Sequence, residues 1–202
     1  MAEQTIYTDG SCKAQLGTWA WAWVHMDGDK VIASKSGAGE CQGKGNTKAE
    51  LTAVVEALAY AVSKNLKQIH IITDNVFVMN NDKFGERWKE NNWKISNGDP
   101  CAEPKLTEQF LQLKNHILST GGTLRFTHIH GHTGDAGNEL ADKLAGETRE
   151  KYELDNKLVT MEACPKLIKA AKKEKIKTEF SGYQSTLPLY QSYGYSVGTF
   201  AA

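Results

Sequence analysis

The sequence predicts a mixed α/β fold: a five-stranded sheet, antiparallel over its first three strands and parallel over the last two, flanked by helices. Three observations carry this. Residues up to Lys35 read as three strands of a meander joined by turns. From Thr47 the hydrophobic period lengthens to that of a helix. Thereafter two short strands alternate with helical stripes.

In chain order, Ile6-Tyr7-Thr8 suits a pleated surface and is expected to stop at the turn-prone pair Asp9-Gly10. Trp19, Trp21 and Trp23 alternate with small residues, so the three indoles share one face of the second strand. Asp27-Gly28-Asp29 turns into a third strand over 30–35, and the Gly-rich stretch 37–45 is expected to be a loop. Leu51, Val54, Val55, Leu58, Ala61 and Val62 mark the stripe of a first helix that ends near Lys64. Gln68–Thr73 is apolar enough for burial on both faces of the sheet. A short helix over 76–84 and a separate exposed helical piece over 86–94 are expected next. A helix over 104–118, a strand over 123–129 and a last core helix from about Asn138 complete the order.

Residues 1–149 are read as the core domain, 150–179 as a Lys-rich helical extension, and 180–202 as a Tyr/Ser/Gly-rich tail, flexible or docked. The chain is neutral overall, but the charge is uneven. The first 149 residues carry −2 and the remainder +2, and within 164–177 six lysines face Glu174 alone. Such a local basic segment is the footprint of a phosphate-binding surface, or of a solvated helix. No run approaches the length of a membrane span, and residues 1–4 lack the layout of a signal peptide. Cys12, Cys41, Cys101 and Cys164 are scattered, which suits free thiols in a reducing compartment. A cytoplasmic monomer without membrane contact is expected, or one in whichever compartment of a host cell replicates nucleic acid.

Four acids stand at telling places. Asp9 and Asp74 follow strands, Glu50 lies in the first turn of the first helix, and Asp142 lies in the second turn of the last. Strand ends of an open α/β sheet face a common crevice, so these carboxylates converge if the two strands pair. Carboxylates gathered there would repel one another without cations. Two Mg²⁺ ions about 3.5–4 Å apart would resolve this and clamp the two oxygens of a phosphoryl transfer. Hard oxygen ligands suit Mg²⁺ or Mn²⁺ better than zinc. Each acid also has a local reading: Thr47 with Glu50 makes a capping box, Asp74 or Asn75 an N-cap, and Asp142 a solvated helix residue. His128, His130 and His132 alternate as a zinc trio would, although no further Cys or His lies near them.

The ordered set resembles the catalytic domain of type 1 ribonuclease H. Thr8-Asp9-Gly10-Ser11-Cys12, Asn46 with Glu50, Thr73-Asp74-Asn75, Gly131-His132 and Asn138-Glu139-Leu140-Ala141-Asp142 stand in the family's sequence over roughly residues 4–148. The resemblance implies a ribonuclease H-like fold and endonucleolytic cutting of the RNA strand of an RNA–DNA hybrid. It implies two-metal catalysis leaving 5′-phosphate and 3′-hydroxyl ends. Asp9 would be shared by both ions. Asp142 would complete the water-activating side, and Glu50 and Asp74 the leaving-group side. His132 would assist proton transfer or product release. Asn46 occupies the family's position for reading the 2′-hydroxyl, with Thr47 beside it. Gln15 falls where an amide meets the DNA strand, and Asn75 is grouped with the substrate-binding residues. The 164–177 segment and the tail would contact nucleic acid or another protein. Gly45 and Val76 depart from the pattern, standing where the family has a hydroxyl and frequently an amide. Exonucleases of the same superfamily generally carry an acid where Ser11 stands here.

Overall fold

The structure, a computed structural model, describes residues 3–41, 45–131 and 134–180, without the side chains of Ala171 and of residues 174–180. Its strands are β1 (Gln4–Lys13), β2 (Thr18–Asp27), β3 (Lys30–Glu40), β4 (Gln68–Thr73) and β5 (Thr123–His128). Its helices are α1 (Asn46–Ser63), α2 (Val76–Glu90), α3 (Pro104–Ser119), α4 (Ala136–Asp155) and α5 (Pro165–Phe180), with a 3₁₀ turn at Met161–Ala163. The sheet has five strands in the order β3-β2-β1-β4-β5, antiparallel from β3 to β1 and parallel from β1 to β5. The predicted architecture is the observed one.

β1 is the central strand, and successive side chains along it serve opposite faces. Ile6 joins the larger core, formed with α1, α3, Trp21 and Trp23. Tyr7 packs with Val24, Met26 and the Ala141 stretch of α4 on the other face. α1 buries the predicted stripe: Leu51, Val54 and Leu58 are inaccessible to solvent, each stabilising the fold by roughly 1.5–3 kcal/mol relative to an exposed position. α4 comes close to the sheet because small residues meet there; a side chain at Gly137 would collide with the Tyr7 ring.

Three local expectations are corrected. β1 does not stop at Asp9-Gly10 but pairs with β2 through Lys13. A Cβ at Gly10 would lie 2.7 Å from the Glu50 backbone nitrogen, so this glycine serves close approach of α1, not a turn. β3 likewise continues through Gly37 and Gly39, which pair with Trp21 and Trp19. The Trp21 indole lies where a Gly37 side chain would be, its atoms 2.8–2.9 Å from that position. Finally, the two pieces expected over 76–84 and 86–94 are one helix, α2. Gly85 in its middle sits against Leu111 of α3, where contact with α3 offsets the low helix propensity of glycine.

The residues divide into a unit ending at Ile168 and a second unit, 169–202, which is helical over 169–180. Within the first unit α4 runs on to Asp155, beyond the boundary expected at 149. Buried Cys164 and a bond from the Leu167 amide to Glu150 Oε2 (2.9 Å) tie the following segment to α4. Cys12, Cys41, Cys101 and Cys164 form no disulfide with one another. No described helix is long and apolar enough to cross a membrane.

Candidate active site

The site begins with a register. β1 and β4 pair in parallel with Thr8 opposite Thr73, so Asp9 and Asp74, the next residues, emerge side by side at the same end of the sheet. Glu50 arrives from α1, whose approach the missing side chain at Gly10 permits. Ligand oxygens of Asp9, Glu50 and Asp74 all lie within 4.8 Å of one another. Asp142 stands outside that trio, on α4, yet its charge is close enough to act on Asp9.

The local alternatives resolve differently for each acid. The N-cap of α1 is Gly45, with no side-chain capping bond, so no capping box is formed. Asn75, not Asp74, caps α2 by accepting from the Phe77 amide at 2.8 Å, which leaves the Asp74 carboxylate to the cluster. Among the described residues the histidines form no metal-binding group. His128 Nε2 instead bonds the Asp74 carbonyl at 3.0 Å. His132 lies outside the described residues.

Burial and repulsion make the cluster unusual. Asp9 is 6 % exposed and Glu50 8 %. Burial first, then the charges of Asp74 and Asp142, push the Asp9 carboxyl up to about 7, against relief from the Gly10 amide and Lys166. Burial, with Asp9 and Asp74, pushes Glu50 well above the usual carboxylate range. Glu50 Oε2 is buried with no hydrogen-bond partner among the described residues. An all-oxygen set with an unpartnered buried oxygen fits a hard divalent cation such as Mg²⁺ or Mn²⁺. Proximity and burial together leave the cluster in need of positive charge.

A pH dependence follows. Because the folded-state values of Asp9 and Glu50 are raised, the folded protein holds protons that the unfolded chain has already released. Stability contributed by these groups is therefore lost as pH rises from the ordinary carboxylate range through about 7. In EDTA the protein should melt at a lower temperature at pH 8 than at pH 5.5, and millimolar Mg²⁺ should narrow the gap. A metal-free melting temperature that rises across this interval would contradict the electrostatic account.

Asn46 is the first residue of α1 and is exposed, Thr47 beside it is half-buried, and Gln15 is exposed in the β1–β2 turn. Asn75 is half-buried and turns its side chain to the α2 cap and to Glu50. Two features had no individual signal in the sequence. Lys166 Nζ bonds both carboxylate oxygens of Asp142 at 3.0 Å. Arg149 donates to Ser11 Oγ at 3.0 Å and pairs with the buried Glu153. The lysine run hinted at the first only as a block.

The RNase H family model matches residues 1–150. Ribonuclease H of Paracidovorax citrulli (strain AAC00-1) is 31% identical over 152 residues, 75% of this chain and 97% of that protein. The solution structure of the PFV RNase H domain superposes with a TM-score of 0.58 at 25% identity, covering 73% of this chain and 94% of that one. The crystal structure of LC11-RNase H1 in complex with RNA/DNA hybrid gives a TM-score of 0.53 at 22% identity, over 74% and 99% of the two chains.

Proposed function

This chain belongs to the ribonuclease H family, and on that premise we propose that it cuts the RNA strand of RNA–DNA hybrids endonucleolytically, with two divalent cations held by Asp9, Glu50, Asp74 and Asp142. The observation that carries the proposal is the convergence of Asp9, Glu50 and Asp74 within 4.8 Å, two of them buried. A relative solved with an RNA/DNA hybrid supports the substrate.

When bound, the two cations would neutralise the scissile phosphate and acidify the attacking water. The chain's own residues do the positioning. Asp9, on the rigid central strand, would help to hold both cations. Asp142 would help to hold the cation that activates water, and Glu50 with Asp74 the one that stabilises the departing 3′ oxygen, a reaction that would leave 5′-phosphate and 3′-hydroxyl ends. In-line phosphoryl transfer asks chiefly for charge held in position, which buried, strand-mounted carboxylates supply. Asn46 and Thr47 read the 2′-hydroxyl across the minor groove, the contact by which RNA is told from DNA. Gln15 meets the DNA strand, and Asn75 orients Glu50. His132 assists proton transfer, a role that rests on the Gly131-His132 motif. Lys169, Lys172 and Lys173 add sequence-independent attraction for phosphates.

The test uses end-labelled RNA–DNA hybrid, RNA duplex, DNA duplex and single-stranded RNA, each with Mg²⁺, Mn²⁺ or EDTA. Cleavage confined to the RNA of the hybrid, dependent on metal and leaving ends that a ligase or kinase assay identifies as 5′-phosphate and 3′-hydroxyl, is expected. Hybrid binding without cleavage under either metal would defeat the proposal.

A further inference from the structure

Lys166 occupies an unusual seat for a lysine outside the family match, which ends at residue 150. Its ammonium donates to Oδ1 and Oδ2 of Asp142, each at 3.0 Å, and to the Asp142 backbone carbonyl at 3.2 Å. Three donors thus meet three acceptors of one residue. The pair is about one-third exposed on each side, and a surface ion pair of that exposure is ordinarily a weak, fluctuating contact. This one is tethered. Cys164, two residues earlier, is buried with its thiol against the Glu150 and Thr160 carbonyls. Leu167, one residue later, donates its amide to the buried Glu150 carboxylate at 2.9 Å. The lysine stem lies over Gly146, one turn beyond Asp142, in space that any side chain at 146 would fill. The backbone is fixed on both sides, and the groove for the side chain is open.

The charge matters as much as the contact. Asp9, Glu50, Asp74 and Asp142 bring four potential negative charges together, and the cluster of ligand oxygens within 4.8 Å includes the first three only. The fourth is the one that Lys166 covers. We propose that Lys166 is a resident cation of the active site, seated on Asp142 in the metal-free protein and exchanged for a divalent ion when that carboxylate takes up metal. The segment after α4 would then set the metal concentration at which the site fills. The inference rests on the metal-binding reading given above.

The experiment measures Mn²⁺ and Mg²⁺ binding to the full chain by titration calorimetry, comparing wild type with Lys166→Met, Lys166→Arg and Asp9→Asn. Methionine keeps an unbranched stem over Gly146 and removes the charge. Lys30→Met, at the start of β3, removes the same charge elsewhere. Losing a competing ion pair of this exposure should tighten binding of one ion by roughly two- to fivefold. Lys166→Arg should stay near wild type, and Lys30→Met should not change the affinity. Half-saturating Mg²⁺ for hybrid cleavage should fall in Lys166→Met by the same factor. Thermal melts check that each variant is folded. Unchanged or weaker binding in a folded Lys166→Met protein, with binding in the wild type still abolished by Asp9→Asn, would overturn the inference and leave the metal site standing. Absence of binding in every protein would overturn both.

Discussion

Asp9→Asn is expected to reduce hybrid cleavage by roughly a thousandfold or more while raising the melting temperature of the metal-free protein, and the opposed signs are the point. Asp9 is 6 % exposed and shares its pocket with Glu50 and Asp74. Its ionised form is disfavoured by burial and by Asp74 and Asp142, enough to push its carboxyl up to about 7. Asparagine has nearly the same shape without the charge. At pH 8 in EDTA the substitution should stabilise the protein by about 1–3 kcal/mol, less than the full linkage because the bond from the Gly10 amide weakens. For a domain of this size that corresponds to roughly 2–10 °C. In saturating Mg²⁺ the advantage should shrink or reverse, because only the wild type gains metal-binding energy. Paired melts with and without Mg²⁺, alongside the cleavage assay, measure both signs. An inactive variant that is also less stable without metal would mean that Asp9 holds the fold together, not a cation.

Glu153→Ala should have the largest effect on stability, about 3–5 kcal/mol, through removal of one member of a buried charge pair. Glu153 has no solvent exposure. It accepts from Thr18 Oγ1 and from the Arg149 guanidinium, both at 2.5 Å, and Lys13 Nζ lies 3.6 Å away. Truncation strands Arg149, whose side chain is only 14 % exposed. It also loosens the contact from Arg149 to Ser11, two residues beyond Asp9, so activity should fall in the molecules that remain folded. The double variant Arg149→Met with Glu153→Leu removes both charges and should recover most of the stability but not the hold on Ser11. Urea unfolding of the single and double variants separates these contributions. Equal losses in both would indicate that packing, not charge, governs the site.

The carboxylates of the proposed site were legible because Asp9, Glu50 and Asp74 stand where the hydrophobic period changes, and because the β1–β4 pairing needed only two recognisable strands. The glycines were misread for the same physical reason in each case. Asp9-Gly10 and Gly37 carry turn chemistry locally, but what decides their conformation is α1 against Gly10 and the Trp21 ring over Gly37. Those neighbours come from other elements. The continuity of α2 through Gly85 likewise depends on Leu111. Thr18 and Glu153 are 135 residues apart, and nothing in the composition of either segment announces the pairing. Lys166 was visible only as one lysine of six; its separate place comes from the anchors at Cys164 and Leu167.

The central position of β1 has a consequence for the order in which the protein matures. Synthesis runs from the N-terminus, and domains fold as their elements become available. Asp9 is made among the first residues, but its strand is closed on one side by β2 at once and on the other only when β4 exists. Asp142 arrives later still, and the lysine that covers it later again. A nascent chain therefore carries an incomplete set of acids through most of its synthesis. A truncation between residues 128 and 142 would leave all five strands and remove one of the four carboxylates of the proposed site.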